Sequence, residues 1–97
     1  MKVGVIGAGV MGEALITALI SYGVVAKEIT ISEKRKERAD ELEARYGISV
    51  EELSNNVSSS EILLLVVKPQ DMADVLAEIR ADLKTTTTVV SFAAGKK

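Results

Sequence analysis

The sequence predicts an α/β fold: a doubly wound, all-parallel sheet of strand order 3-2-1-4-5 in three αβα layers. Three observations carry this expectation. An apolar run rich in β-branched residues, Val3-Gly4-Val5-Ile6, enters Gly7-x-Gly9-x-x-Gly12 and then a helical stripe. Strand-like and helix-like segments then alternate along the chain, the pattern of right-handed βαβ crossovers. Finally, Ile62-Leu63-Leu64-Leu65-Val66-Val67 is an unbroken apolar run, as a parallel strand covered by helices on both faces requires.

Taken in order, the first strand is followed by a helix with Met11, Ala14, Leu15, Ala18, Leu19 and Tyr22 on one stripe, closed at Gly23 by a left-handed residue. Val24 to Lys27 connect to a second strand, Glu28 to Ser32, rich in β-branched residues. Glu33 to Tyr46 reads as a helix with Ala39, Leu42 and Tyr46 inward and Gly47 as its stop. Ile48 to Val50 suits a short edge strand. Glu51 to Ser60 suits only a poor short helix, since its asparagines and serines compete for backbone hydrogen bonds. After the apolar fourth strand, Pro69 breaks the chain and Met72, Val75, Leu76, Ile79 and Leu83 mark an amphipathic helix. Thr86 to Phe92 is the fifth strand.

Ninety-seven residues, 47% apolar and 27% charged, make one globular domain, 1–97. A net charge of −2 and only three aromatic residues argue against nucleic acid as a partner. There is no cysteine and no histidine, which removes thiolate chemistry, the commonest zinc ligand and the commonest general base; no metal and no catalytic residue is assigned. Glycines and Glu13 interrupt the apolar N-terminus, so a strand explains it better than a signal peptide. No run approaches the ~20 apolar residues of a membrane span. A soluble, cytoplasmic domain is expected.

In such a sheet the ligand lies beyond the carboxyl ends of the strands, where the order reverses between strands one and four. Four segments converge there: Gly7–Gly12, Ser32–Arg35, Val67–Gln70 and Phe92–Gly95. Strand, glycine turn and helix form a Rossmann-type dinucleotide fingerprint. Gly7 permits the tight turn, Gly9 lets backbone approach a pyrophosphate, and Gly12 lets the helix lie close on the strand; the helix start supplies unpaired N–H groups. Cofactor choice hangs on the end of strand two. Glu33 can bind a ribose 2′-hydroxyl and so indicate NAD(H), whereas Lys34, Arg35 and Lys36 attract a 2′-phosphate. Three cations against one carboxylate favour NADP(H) if Glu33 turns away, with NAD(H) the other choice. Lys36 and Arg38 are expected to point elsewhere, solvating their helix and pairing with Glu37 and Glu41. Lys68-Pro69 either passes the nicotinamide end of a cofactor or merely ends a strand. Asn55 and Asn56 either sit in a loop, the favoured reading, or reach the adenosine ribose. Ser91 reads as a strand residue.

With these segments placed, the chain resembles the N-terminal domain of the pyrroline-5-carboxylate reductase family. The resemblance rests on Gly4-Val5-Ile6-Gly7-Ala8-Gly9-Val10-Met11-Gly12-Glu13-Ala14, on Val66-Val67-Lys68-Pro69-Gln70 and on Val89-Val90-Ser91-Phe92-Ala93-Ala94-Gly95. It is more distantly similar to deazaflavin-dependent NADP reductases and to domains like that of 6-phosphogluconate dehydrogenase. The resemblance implies an oxidoreductase of proline biosynthesis that passes hydride from NADPH or NADH to the C=N bond of 1-pyrroline-5-carboxylate. It implies that Ile6, Gly7, Ala8, Gly9, Val10 and Met11 hold the pyrophosphate, with Gly12 completing the cofactor-binding turn, and Ser32, Glu33, Lys34 and Arg35 the adenosine ribose or its phosphate. Val67, Lys68 and Pro69 would border the nicotinamide ribose, with Phe92, Ala93 and Ala94 beside them, and Asn55 is taken as the ribose-contacting asparagine. The family continues into a helical domain that dimerises and binds the imine. These 97 residues alone are therefore expected to lack reductase activity and to self-associate through uncovered surface. The alternatives are a deazaflavin-dependent NADP reductase-like domain and a truncated or engineered scaffold without a working site.

Overall fold

The structure, a computed structural model, describes residues 1–93, and of Ala93 only the backbone. Five parallel strands, β1 (Val3–Ile6), β2 (Ile29–Ser32), β3 (Ser49–Val50), β4 (Ile62–Val67) and β5 (Thr88–Ala93), lie in the order β3-β2-β1-β4-β5. The expected doubly wound order is the observed one. Four helices connect them: α1 (Val10–Ser21), α2 (Lys36–Tyr46), α3 (Leu53–Ser59) and α4 (Met72–Ile79).

Side chains alternate across the sheet, as the two-residue period of a strand requires. Val3, Val5, Ile29, Ile31, Leu64 and Val66 bury one face against Ile16 of α1 and Ala39 and Leu42 of α2. Ile6, Leu63 and Leu65 bury the other against Val57 of α3 and Ile79 of α4. The register is unbroken at the centre, Ile6 lying opposite Ser32 on one side and Leu65 on the other. The carboxyl ends of β1 and β2 therefore finish level, and the chain leaves both toward one cleft.

Three elements differ from expectation for identifiable reasons. In α1 the buried residues are Gly12 and Ile16, with Met11, Leu15 and Leu19 beside them, while Tyr22 is 90% exposed. Close contact of Gly12 with the Gly7 carbonyl sets this rotation, and Ile16 falls inward one turn later. Helix α2 begins at Lys36 rather than Glu33, because Glu33 spends its carboxylate on the Arg35 N–H at 3.0 Å. In α4, Met72, Val75 and Ile79 pack inward, Leu83 packs beside them just past the helix, and Leu76 is exposed. Both glycine stops hold: Gly23 and Gly47 have φ of +102° and +75°.

The unpromising segment 51–60 folds around Asn56, which is fully buried. Its Nδ2 donates to Thr30 O at 3.1 Å and Ser32 Oγ at 2.9 Å, and Ser60 Oγ donates to its Oδ1 at 3.0 Å. Gly4 makes room for this pair, since a Cβ there would collide with Ser60 Oγ and Asn56 Oδ1. Tertiary satisfaction of buried polar atoms overrides local propensity here. Among the described residues no helix is long and apolar enough to cross a membrane.

Candidate dinucleotide cleft

A cleft of about 650 Å³ opens at the carboxyl ends of β1, β2 and β4. Its floor and walls take in the glycine turn Gly7–Met11, the β2 exit Ser32–Arg35, and the β4 exit Val66–Lys68. Ile6, Leu53 and Val75 add apolar surface, and Glu51, Glu52, Asp71, Asp74 and Glu78 put carboxylates along the side formed by β3's exit and α4. The cations Lys34 and Arg35 stand at the β2 exit. A polyanion entering here is steered toward the glycine turn and the β2 exit, away from α4.

The turn is built by internal geometry at two glycines and left open at a third. Gly7 has φ +93°, and its amide donates to Ser32 O at 3.0 Å, prolonging the β1–β2 ladder by one bond. A Cβ at Gly7 would strike Val66 O, and one at Gly12 would lie 2.7 Å from Gly7 O. Gly9 is different. Its φ of −78° suits any residue, and a Cβ there would meet nothing within 4 Å. Neither strain nor packing requires glycine at this position. The bare backbone faces open cleft, beside the α1 N-terminus whose first N–H groups have no intrahelical acceptor.

Glu33 is turned away from solvent. Its side chain is only 8% exposed, and its carboxylate accepts the Ala8 N–H at 2.9 Å, the Arg35 N–H at 3.0 Å and Arg35 Nε at 2.9 Å. Burial alone would push the Glu33 carboxyl up; the Arg35 guanidinium and the two amides outweigh it and hold it below the ordinary carboxylate range. Arg35, its side chain 63% exposed, lies across this carboxylate with Lys34 beside it on the cleft.

A second charged cluster backs the turn. Arg38 donates Nε to Ala8 O at 2.7 Å, and its terminal nitrogens reach Gly9 O at 3.3 Å, Glu13 at 2.8 Å and Glu41 at 3.2 Å. Glu13 also accepts Tyr46 OH at 2.5 Å and Arg45 at 2.6 Å. The Tyr46 hydroxyl, then Arg38 and Arg45, hold the Glu13 carboxyl down at about 2. Arg38 departs from its expected outward course. It does pair with Glu41, but its main partners are the glycine turn and α1. Arg38, Glu41 and Arg45 fall at i, i+3 and i+7 on one face of α2, a spacing that accounts for the pairs within the helix and not for the partners on the turn and on α1. Lys36 does point elsewhere, to Asp40 at 3.2 Å.

Of the sequence candidates, Ile6, Gly7, Ala8, Gly9, Val10, Met11, Ser32, Glu33, Lys34, Arg35, Val67 and Lys68 come together on the cleft. Gly12 stands just behind, packed on the Gly7 carbonyl. Asn55 does not line it: α3 turns Asn55 to solvent and commits Asn56 to the buried bonds above. Pro69 starts a 3-10 turn outside the lining. Phe92 pairs in register with Val66 and packs against the core cluster, outside the lining, and the Ala93 backbone pairs with that of Val67. Ala94 lies outside the described residues.

Known proteins match this arrangement. The family described as NADP oxidoreductase coenzyme F420-dependent matches residues 2–95. The pyrroline-5-carboxylate reductase of Methanosarcina acetivorans is 39% identical over 97% of this chain, and that of Corynebacterium melassecola 36% identical over 96%. The chain spans 36% of the length of each of these relatives. A solved pyrroline-5-carboxylate reductase from Coxiella burnetii shares the fold at a TM-score of 0.87 and 23% identity, over 97% of this chain and 36% of that one. The imine reductase from Myxococcus stipitatus in complex with NADP+ superposes at a TM-score of 0.78 and 28% identity, over 99% of this chain and 33% of that one. By fold, by glycine turn and by a match that runs almost end to end, the chain belongs to the family of NADP oxidoreductases described as coenzyme F420-dependent.

Proposed function

We propose that this chain is the NADP(H)-binding domain of a reductase that acts on the C=N bond of 1-pyrroline-5-carboxylate, giving proline. The observation that carries the cofactor reading is Gly9: a glycine that neither strain nor packing explains, placed where the helix start offers free N–H groups to a pyrophosphate. When bound, the dinucleotide supplies hydride. The chain's own residues hold and orient it. Gly9, Val10 and Met11 present backbone N–H groups, Val67 and Lys68 border the far end of the cleft, and Lys34 and Arg35 receive the adenosine end. The substrate follows from the relatives' names.

Preference for NADP(H) over NAD(H) follows from Glu33. A carboxylate that accepts two amides and the Arg35 guanidinium is a poor acceptor for a ribose hydroxyl, whereas Lys34 and the outer edge of the exposed Arg35, whose Nε and one terminal nitrogen stay on Glu33, can meet a 2′-phosphate. At solvent-exposed distances each charge contributes only ~1 kcal/mol, so the preference is roughly tenfold or somewhat more. Calorimetric titration with NADPH and with NADH, at low and moderate salt, tests this. Tighter and more salt-sensitive binding of NADPH is expected; equal or tighter binding of NADH would return Glu33 to the ribose and overturn the preference. The family description favours a second reading, a deazaflavin as hydride partner. The two separate on whether NADPH oxidation depends on the imine or on oxidised deazaflavin.

A further inference from the structure

Behind the glycine turn, one guanidinium contacts two consecutive peptide units. Arg38 Nε meets Ala8 O at 2.7 Å and a terminal nitrogen meets Gly9 O at 3.3 Å, from a side chain only 19% exposed. No peptide bond is cis among the described residues, and in a trans unit the carbonyl of one residue points opposite to the N–H of the next. The Ala8 carbonyl, held toward α2 by Arg38, and the Gly9 carbonyl, shared between Arg38 and the Glu13 N–H at 3.0 Å, therefore turn the Gly9 and Val10 N–H groups the other way, and both residues line the cleft. Neither amide has an acceptor among the described residues. The same guanidinium neutralises Glu13, a carboxylate in the first turn of α1 that would otherwise repel an anion at that helix start.

We propose that Arg38 is a positioning residue for anion capture: it fixes the two peptides of the glycine turn so that the Gly9 and Val10 N–H groups are aimed at the dinucleotide pyrophosphate before it arrives. This rests on the dinucleotide reading of the cleft. Its function requires the planar fork. Nε and two terminal nitrogens satisfy four acceptors at once, Ala8 O, Gly9 O, Glu13 and Glu41; a lysine ammonium carries the same charge but cannot span them. Arg38 does not line the cleft, so it acts through the backbone and not by touching the nucleotide. The loss on substitution must then be blind to the 2′-phosphate.

The test compares the 97-residue chain with Arg38→Lys and Arg38→Gln, and with Lys36→Gln, which removes the same charge from the exposed side of α2. Each is titrated with NADPH and with NADH, and backbone order parameters are measured for Gly9 and Val10 without nucleotide. Both Arg38 variants are expected to weaken NADPH and NADH by the same factor, at least about tenfold, while Lys36→Gln changes neither. The Gly9 and Val10 order parameters fall from the rigid range near 0.85 toward about 0.6. A loss confined to NADPH would make Arg38 a 2′-phosphate ligand and overturn the proposal. So would an equal loss in Lys36→Gln, or unchanged order parameters in Arg38→Lys. If Arg38→Gln does not fold, Arg38→Lys, which keeps the charge, decides. Absence of nucleotide binding in the unsubstituted chain would sink the dinucleotide reading and with it the capture role. The order parameters would still show whether Arg38 fixes the turn, so the two failures are told apart.

Discussion

Replacing Gly9 with alanine separates the fold from the ligand. Gly9 caps α1 with φ −78° and ψ −155°, and its added Cβ would meet nothing within 4 Å. Loss of glycine's freedom in the unfolded chain favours the alanine variant by ~0.4–1 kcal/mol. Alanine is a poorer N-cap than glycine, which costs roughly 0.5–1 kcal/mol. The two nearly cancel, and for a domain of this size, where 1 kcal/mol moves the Tm by about 4–8 °C, the melting temperature should stay within ~3 °C. Binding should not survive. The methyl group occupies cleft space and displaces a pyrophosphate by about 1 Å, enough to break charge-assisted bonds worth ~1.5–3 kcal/mol each. Loss of two such bonds weakens NADPH by about a hundredfold or more. Thermal melting by circular dichroism and calorimetric titration on the same preparation measure both quantities. A Gly9→Ala variant that bound NADPH like the parent would refute the assignment of this backbone to the phosphates. One that unfolded would show that Gly9 serves the fold.

Gly7→Ala should behave in the opposite way. Its φ of +93° and the collision of a Cβ with Val66 O predict a loss above about 3 kcal/mol, read as a fall of at least ~12 °C in Tm. An unchanged Tm would contradict the geometry. Asn56→Ala removes the buried bonds to Thr30 O and Ser32 Oγ and opens a small void, at a cost of about 3 kcal/mol; urea denaturation measures it, and a cost under ~1 kcal/mol would show the network to be dispensable. Stability against pH follows from Glu13 and Glu33, whose carboxyls are both held below their ordinary value in the folded chain. The folded state thus binds protons less readily than the unfolded chain, and stability rises with pH where these groups titrate. It should be flat from neutrality down to about pH 5, then fall through the ordinary value of 4.5 toward about 2. Glu13→Gln should make that acid loss shallower, and an identical acid limb would contradict the Glu13 assignment.

The strands and the glycine turn were legible because the signals are local and redundant. Ile62–Val67 is apolar at every position, and Gly7, Gly9 and Gly12 follow a strand and open a helix. Helix faces were less legible: a stripe through Ala14, Ala18 and Tyr22 fits helical spacing as well as the true one, and the deciding contact, Gly12 on the Gly7 carbonyl, lies outside any periodicity. Asn56 could not be read at all. Its low helix propensity is outweighed by acceptors on β2, 24 and 26 residues away. The same holds for Arg38, whose charge reads as surface and whose partners stand 25 to 30 residues upstream. Polar residues satisfied across long loops leave no trace in local pattern. In this chain they support the candidate site.

Amide chemical-shift mapping of the isotopically labelled chain during titration with NADPH tests the central claim most directly. Saturable shifts confined to Gly7–Gly12, Ser32–Arg35 and Val67–Lys68, with Asn55 and the outer face of α4 unmoved, are the predicted result. Shifts gathered elsewhere, or no saturable shift at the glycine turn, would contradict it.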